Sequence, residues 1–161
     1  MYGKDKFSQE QRREGMEINT LLEYIKTGNY TESVFSRNGI LEDAGKDIPQ
    51  HQLRKFYAEI LNIKDAISLY EFGKGKEEVL KLLKIKLAMM EPLAIYTKSK
   101  LGKVKYSDQF SQIVDFISKS VSTINSQNDL DGWKERFERF KQLFEVIIAY
   151  SKPTKGGEKN E

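Results

Sequence analysis

Apolar residues recur at helical spacing along most of this chain. Ile18, Leu21, Leu22 and Ile25 fall at i, i+3, i+4 and i+7, and Gly28 follows as a stop, so a first short helix is predicted over 17–27. Residues 29–47 are mixed, with one turn of helix expected near 40–44. A second helix is expected to open near Pro49 with Asp47 close to the cap, because proline suits a first helical turn. Its apolar face is Leu53, Phe56, Tyr57, Ile60, Ile63, Ile67 and Tyr70, and it stops at Phe72–Lys76. A third helix starts near Lys76 and is ended or kinked by Pro92, which removes a helical hydrogen bond and crowds the preceding turn. Residues 97–105 read as a basic connector. A fourth helix follows over 107–125, carrying Phe110, Ile113, Val114, Ile117, Val121 and Ile124. A polar turn, 125–132, leads to a fifth helix over 130–151, whose face is Trp133, Phe137, Phe140, Leu143, Phe144, Ile147 and Ile148. No segment alternates as a strand would and no repeat is visible. The fold expected is all-α: one domain, a compact bundle of about five helices over 17–151, with disordered polar tails at 1–16 and 152–161.

The composition fits this pattern and excludes several functions. Among 161 residues, 39% are apolar and 32% charged, a globular balance. Net charge is only +3, too small for bulk neutralisation of nucleic acid, yet compatible with a local basic strip. There is no cysteine and a single histidine, His51, which leaves no Cys/His zinc site, disulfide or cysteine nucleophile. No apolar run approaches the ~18 residues of a membrane span, and the N-terminus lacks an apolar signal core, so the cytoplasm is the expected location. No phosphate-binding loop, metalloprotease or serine-hydrolase motif is present. The nearest acidic cluster, Leu41–Asp47, reads as a turn, leaving a metal-dependent nuclease as a minor alternative. No enzyme activity, cofactor or metal is expected.

Charge placement carries the remaining information. Residues 74–105 hold nine lysines against three glutamates. On a helical wheel drawn from Leu53, Arg54 lies about 100° away on the flank of the apolar face, and Lys55 about 200° away, toward solvent. A guanidinium at that edge packs its stem on the core and offers its fork outward. On the fifth helix Arg136 and Arg139 take one flank and Lys134 and Lys141 the other, around rings spaced as a buried face. These positions leave two readings open: a strip that contacts a phosphate chain, or an ordinary solvated surface around a core.

The run "QLRKFY", Gln52–Tyr57, resembles a signature of the small subunit of type III-A CRISPR-Cas interference complexes, the Csm complex. That family follows such a motif with "KLA" near the end of the next helix, here Lys86-Leu87-Ala88. It closes on a phenylalanine-rich helix, here "RFERFKQLFEVIIAY", Arg136–Tyr150. The resemblance covers roughly residues 40–152. Where the family often continues "KLA" with an aromatic and an arginine-bearing stretch, this chain has "MMEPLAIYTKSK", so Lys98 or Lys100 would replace that basic group. The resemblance implies a non-catalytic subunit for antiviral defence that lines the target-RNA channel. It would grip RNA by its backbone, and its partners would be guide and target RNA, the large and backbone subunits and further small-subunit copies. A homodimer in isolation stays open. Arg54, Lys55, Lys98, Lys100, Arg136 and Lys141 are the candidate RNA contacts. The competing reading is a helical protein–protein adaptor without RNA binding.

Overall fold

A computed structural model describes residues 18–153. Within them the chain is helical at 18–27 (α1), Glu32–Phe35 (α2), Ile40–Gly45 (α3), Gln50–Glu71 (α4), Lys76–Ala88 (α5), Met90–Leu101 (α6), Ser107–Asn125 (α7) and Leu130–Tyr150 (α8). The described residues form no strand, and a lone bridge ties Pro49 to Lys152. The all-α expectation holds, with two short helices filling the uncertain stretch before α4. The expected tail at 1–16 lies outside the described residues.

The core is built on the faces that the periodicity picks out. Leu53, Phe56, Ile60 and Ile63 of α4 meet Phe110, Ile113 and Ile117 of α7 and Phe137, Phe140 and Phe144 of α8, all buried. Rings bind three helices together: Phe56 lies 6.0 Å from Phe110 and 6.4 Å from Phe144, centroid to centroid. Such pairs add to simple burial because their quadrupoles favour tilted and edge-on contacts. Small residues set the closest approach. A Cβ on Gly45 would stand 2.5 Å from the Ile147 carbonyl oxygen, so glycine lets α3 lie directly on α8.

Among α2–α8 only α8 has a side-chain hydrogen bond at its N-cap. Asp129 caps α8 by accepting from the Gly132 amide at 2.9 Å. Gly28, at φ +80°, ends α1 and donates its amide to Tyr24. Asn125, at the end of α7, donates to the Lys84 carbonyl at 2.9 Å and accepts the buried Trp133 indole N–H at 2.8 Å. Replacing Asn125 by Ala orphans the buried indole N–H, which is expected to cost about 1–3 kcal/mol. Urea unfolding followed by the fluorescence of Trp133, the single tryptophan, reads this directly; an unchanged midpoint would contradict the bridging role.

Two boundaries differ from the sequence reading. The helix expected to stop at Pro92 breaks earlier, at Met89, and Pro92 falls in the first turn of α6, where its missing N–H has no intrahelical partner to lose. The chain therefore stays helical to Leu101, and the basic connector shrinks to residues 102–106. Lys152, placed in the tail, is tied down: its amide donates to Ile48 and its carbonyl accepts from Gln50.

Candidate nucleic-acid interface

Helix direction decides which charges meet. The hairpin of α4 and α5 turns at residues 72–75, and α6 continues the path of α5, so the C-terminus of α6 returns to the N-terminus of α4. A hydrogen-bond chain fixes that meeting point. Gln52 is buried; its amide donates to the Tyr106 hydroxyl at 3.3 Å, and its carbonyl accepts from Lys55 Nζ at 2.9 Å. The connector after α6 is thereby anchored to the first turns of α4. The Lys152 backbone joins the same end.

Seven cations share this end: Arg54 and Lys55 on α4, Lys98 and Lys100 on α6, Lys103 and Lys105 on the connector, and Lys152. All are exposed, and among the described residues none forms an ion pair with a carboxylate. Asp47 and Asp108 are the acids of the neighbouring helix starts. The first turn of α4 carries no acid, so the positive end of its dipole adds to the cationic field. Lys100 Nζ also lies 5.4 Å from the centre of the exposed Tyr96 ring. Lys98 and Lys100 leave α6 on opposite flanks of the edge marked by Ala94 and Thr97, which broadens the charged surface. Four of the six candidates from the sequence are thus brought to one end of the bundle.

Arg136 and Lys141 do not join them. Arg136 caps α7: Nη1 donates to the Thr123 carbonyl at 2.7 Å and to Ser126 Oγ at 3.0 Å. Arg139 does the same for α1, donating to the carbonyls of Ile25 and Lys26. Both arginines satisfy carbonyls that a helix end leaves without partners. Lys141 is buried on the other flank of α8, 3.7 Å from Glu138 and 3.4 Å from Glu145. A single ribbon running from Arg54 to Arg136 is therefore not formed. Arg54 borders α8 beside Glu145 and Ile148, whereas Arg136 faces α7 about 18 Å away along the α8 axis, at 1.5 Å rise per residue.

Glu145 is held between two partners, since Tyr57 donates to it at 2.6 Å. That hydrogen bond, with desolvation second, pushes the Tyr57 phenol up to about 12 from 10.0. A pKa raised by folding means that the bond contributes fully below pH 10 and is lost as pH climbs toward 12. In an absorbance titration Tyr57 should ionise late, as should Tyr24, whose phenol burial also pushes up, and Tyr57→Phe should remove one tyrosine from the late step. A titration identical in Tyr57→Phe would contradict the assignment.

Among the described residues no group of three or more His, Asp or Glu is placed to hold a metal ion, and Asp43, from the acidic cluster, pairs with Lys46 at 3.4 Å. No helix of the described residues is long and apolar enough to cross a membrane. The sequence reading omitted Lys103, Lys105 and Lys152 from the candidates. Charge excess pointed to the first two, but the backbone bridge that brings Lys152 in is a non-local pairing with no local signal. A family model described as Csm2 Type III-A matches residues 37–157. No curated protein and no solved structure matches the chain.

Proposed function

We propose that this chain, which belongs to the Csm2 Type III-A family, holds single-stranded RNA by its phosphates through the cationic end of the bundle, without reading sequence. As a family member it is a small subunit and a structural component of a type III-A CRISPR complex. The observation that carries the RNA reading is the cluster around Arg54, Lys55, Lys98 and Lys100, exposed cations with no acid partner among the described residues. Lysines on a connector and an arginine fork at a helix flank meet phosphates from several directions, and phosphate contacts position a strand without distinguishing its bases. Guide–target pairing then supplies specificity, and the small subunit only has to retain whatever strand arrives. Its partners in this reading are guide and target RNA, the large and backbone subunits and other copies of itself. Bond breaking is left to other subunits.

The test is binding of two unrelated single-stranded RNAs to the purified protein at low salt. Similar affinities, falling steeply as salt rises, support the reading; strong preference for one sequence, or no binding to either even within the assembled complex, overturns it. The competing adaptor reading draws on exposed apolar side chains such as Met89 and Phe72. It predicts partner complexes that survive nuclease and are indifferent to Arg54.

A further inference from the structure

The two halves of the cationic end sit on different elements, and little packing joins them. α6 packs chiefly on α7 and only lightly on α4. On the α4 wheel Gln52 lies about 100° from Leu53 on the flank opposite Arg54, with Lys55 between the two and outward. Arg54 therefore borders α8, beside Glu145 and Ile148, and Gln52 borders the connector. Gln52 is only 8% exposed, yet both ends of its amide are used: Nε2 donates to Tyr106 and Oε1 accepts from Lys55. One buried side chain thus links an α4 lysine to the segment that carries two more.

That segment is stitched to itself. Ser107 Oγ accepts from the Val104 amide at 2.8 Å and donates to the Val104 carbonyl at 2.7 Å. Gly102 supplies the positive φ, +64°, with which the chain leaves α6. Lys103 and Lys105 stand exposed on this loop. The Tyr106 ring rests on the core, and its hydroxyl takes the hydrogen bond from Gln52. We propose that Gln52 and Tyr106 are positioning residues for the RNA grip: their hydrogen bond holds Lys103 and Lys105 at the spacing from Lys55 at which the phosphates of one strand engage all three. The inference rests on the proposed hold on phosphates, and neither positioning residue touches RNA. A lysine is a point charge on a flexible stem, so the spacing between lysines must come from the backbone that carries them. A loop ordered beforehand also spares the entropy of ordering it on binding. Without the tether the lysines stay charged and exposed, but the loop swings away from α4. The strand then loses two contacts although the protein loses no charge.

Salt titration of RNA binding to full-length Tyr106→Phe tests this, with circular dichroism to check the fold. The substitution keeps the ring and the net charge. The slope of log K against log salt is expected to flatten by about 1.4, two contacts at about 0.7 each, and affinity to fall on the order of 10-fold at about 0.1 M salt. Gln52→Leu removes the same bond from the other side and is expected to match it. Asn125→Ala, which weakens the far end of α7, is expected to leave the slope unchanged. In a protein already carrying glutamine at Lys103 and Lys105, Tyr106→Phe is expected to add nothing, because residues that act as one unit do not add. A Tyr106→Phe protein with the wild-type slope, or a further loss in the glutamine background, overturns the proposal. So does a flattened slope in Asn125→Ala, which would trace the effect to stability. If replacing Arg54 and Lys55 weakens binding while Tyr106→Phe does not, the tether alone fails; if neither weakens it, the hold on phosphates at this end fails as well.

Discussion

Exchanging Arg54 and Lys55 together for glutamate weakens RNA binding by on the order of 100-fold at about 0.1 M salt. It also reduces the slope of log K against log salt by about 1.4, since each neutralised phosphate of a single strand contributes about 0.7. The size follows from removing two cations and adding two anions at a cluster whose members have no acid partners among the described residues. Stability should change little, because both side chains are exposed and surface substitutions generally stay within about 0.5 kcal/mol. Lys55 does contribute a hydrogen bond to Gln52, but Gln52 keeps Tyr106 as a partner. The same charge change at Lys26 and Lys119 together, exposed lysines on α1 and α7, is the control: binding there should fall far less. Anisotropy with a labelled RNA gives both affinities, and equal losses at the two places would mean that overall charge, not this end of the bundle, governs binding.

Phe144→Ala is the second large effect, and it falls on stability. Phe144 is fully buried. Its ring stands 6.4 Å from Phe56 and 6.0 Å from Phe140, so it joins α4 to α8 at the middle of the aromatic core. Truncation removes the ring's transfer energy and leaves a cavity that helices pinned on several sides cannot close. The expected cost is about 3–5 kcal/mol, a large part of the roughly 5–15 kcal/mol that holds a domain of this kind together. Urea unfolding should show the midpoint falling with little change in cooperativity. A loss below about 1 kcal/mol would mean that the core relaxes around the gap, contrary to the close packing that interiors of this kind show.

The long helices were legible because their apolar positions repeat over several turns. In α7 and α8 the buried residues coincide closely with the periodic ones, from Phe110 to Ile124 and from Trp133 to Ile147. The break between α5 and α6 was less so. Proline marks a helix boundary without saying on which side it lies, and Pro92 turned out to open α6. Short α2 and α3 lacked the length for a period to show; their place is set by tertiary contacts such as Tyr150 donating to the Phe35 carbonyl and Gly45 lying against Ile147.

For the candidate interface, a helical wheel gives the direction of a side chain but not what waits there. It put Arg136 on a flank correctly, yet could not show that the flank meets the open end of α7, where a guanidinium fork is consumed by Thr123 and Ser126. Lys141 likewise points along a flank that folding covers, between Glu138 and Glu145. Arg54 and Lys98 are distant in sequence, and the tether between Gln52 and Tyr106 that fixes their shared end is a pairing across 54 positions. No local pattern encodes such a pairing.

The most direct measurement compares the salt dependence of RNA binding in the wild type with that in a variant carrying glutamine at Arg54, Lys55, Lys98 and Lys100, using two RNAs of unrelated sequence. A grip on phosphates at this end of the bundle predicts a slope flattened by about 2.8, four contacts at about 0.7 each, and the same flattening for both RNAs. A slope that does not move in this variant, or one that moves only when Arg136 and Lys141 are replaced, would contradict it.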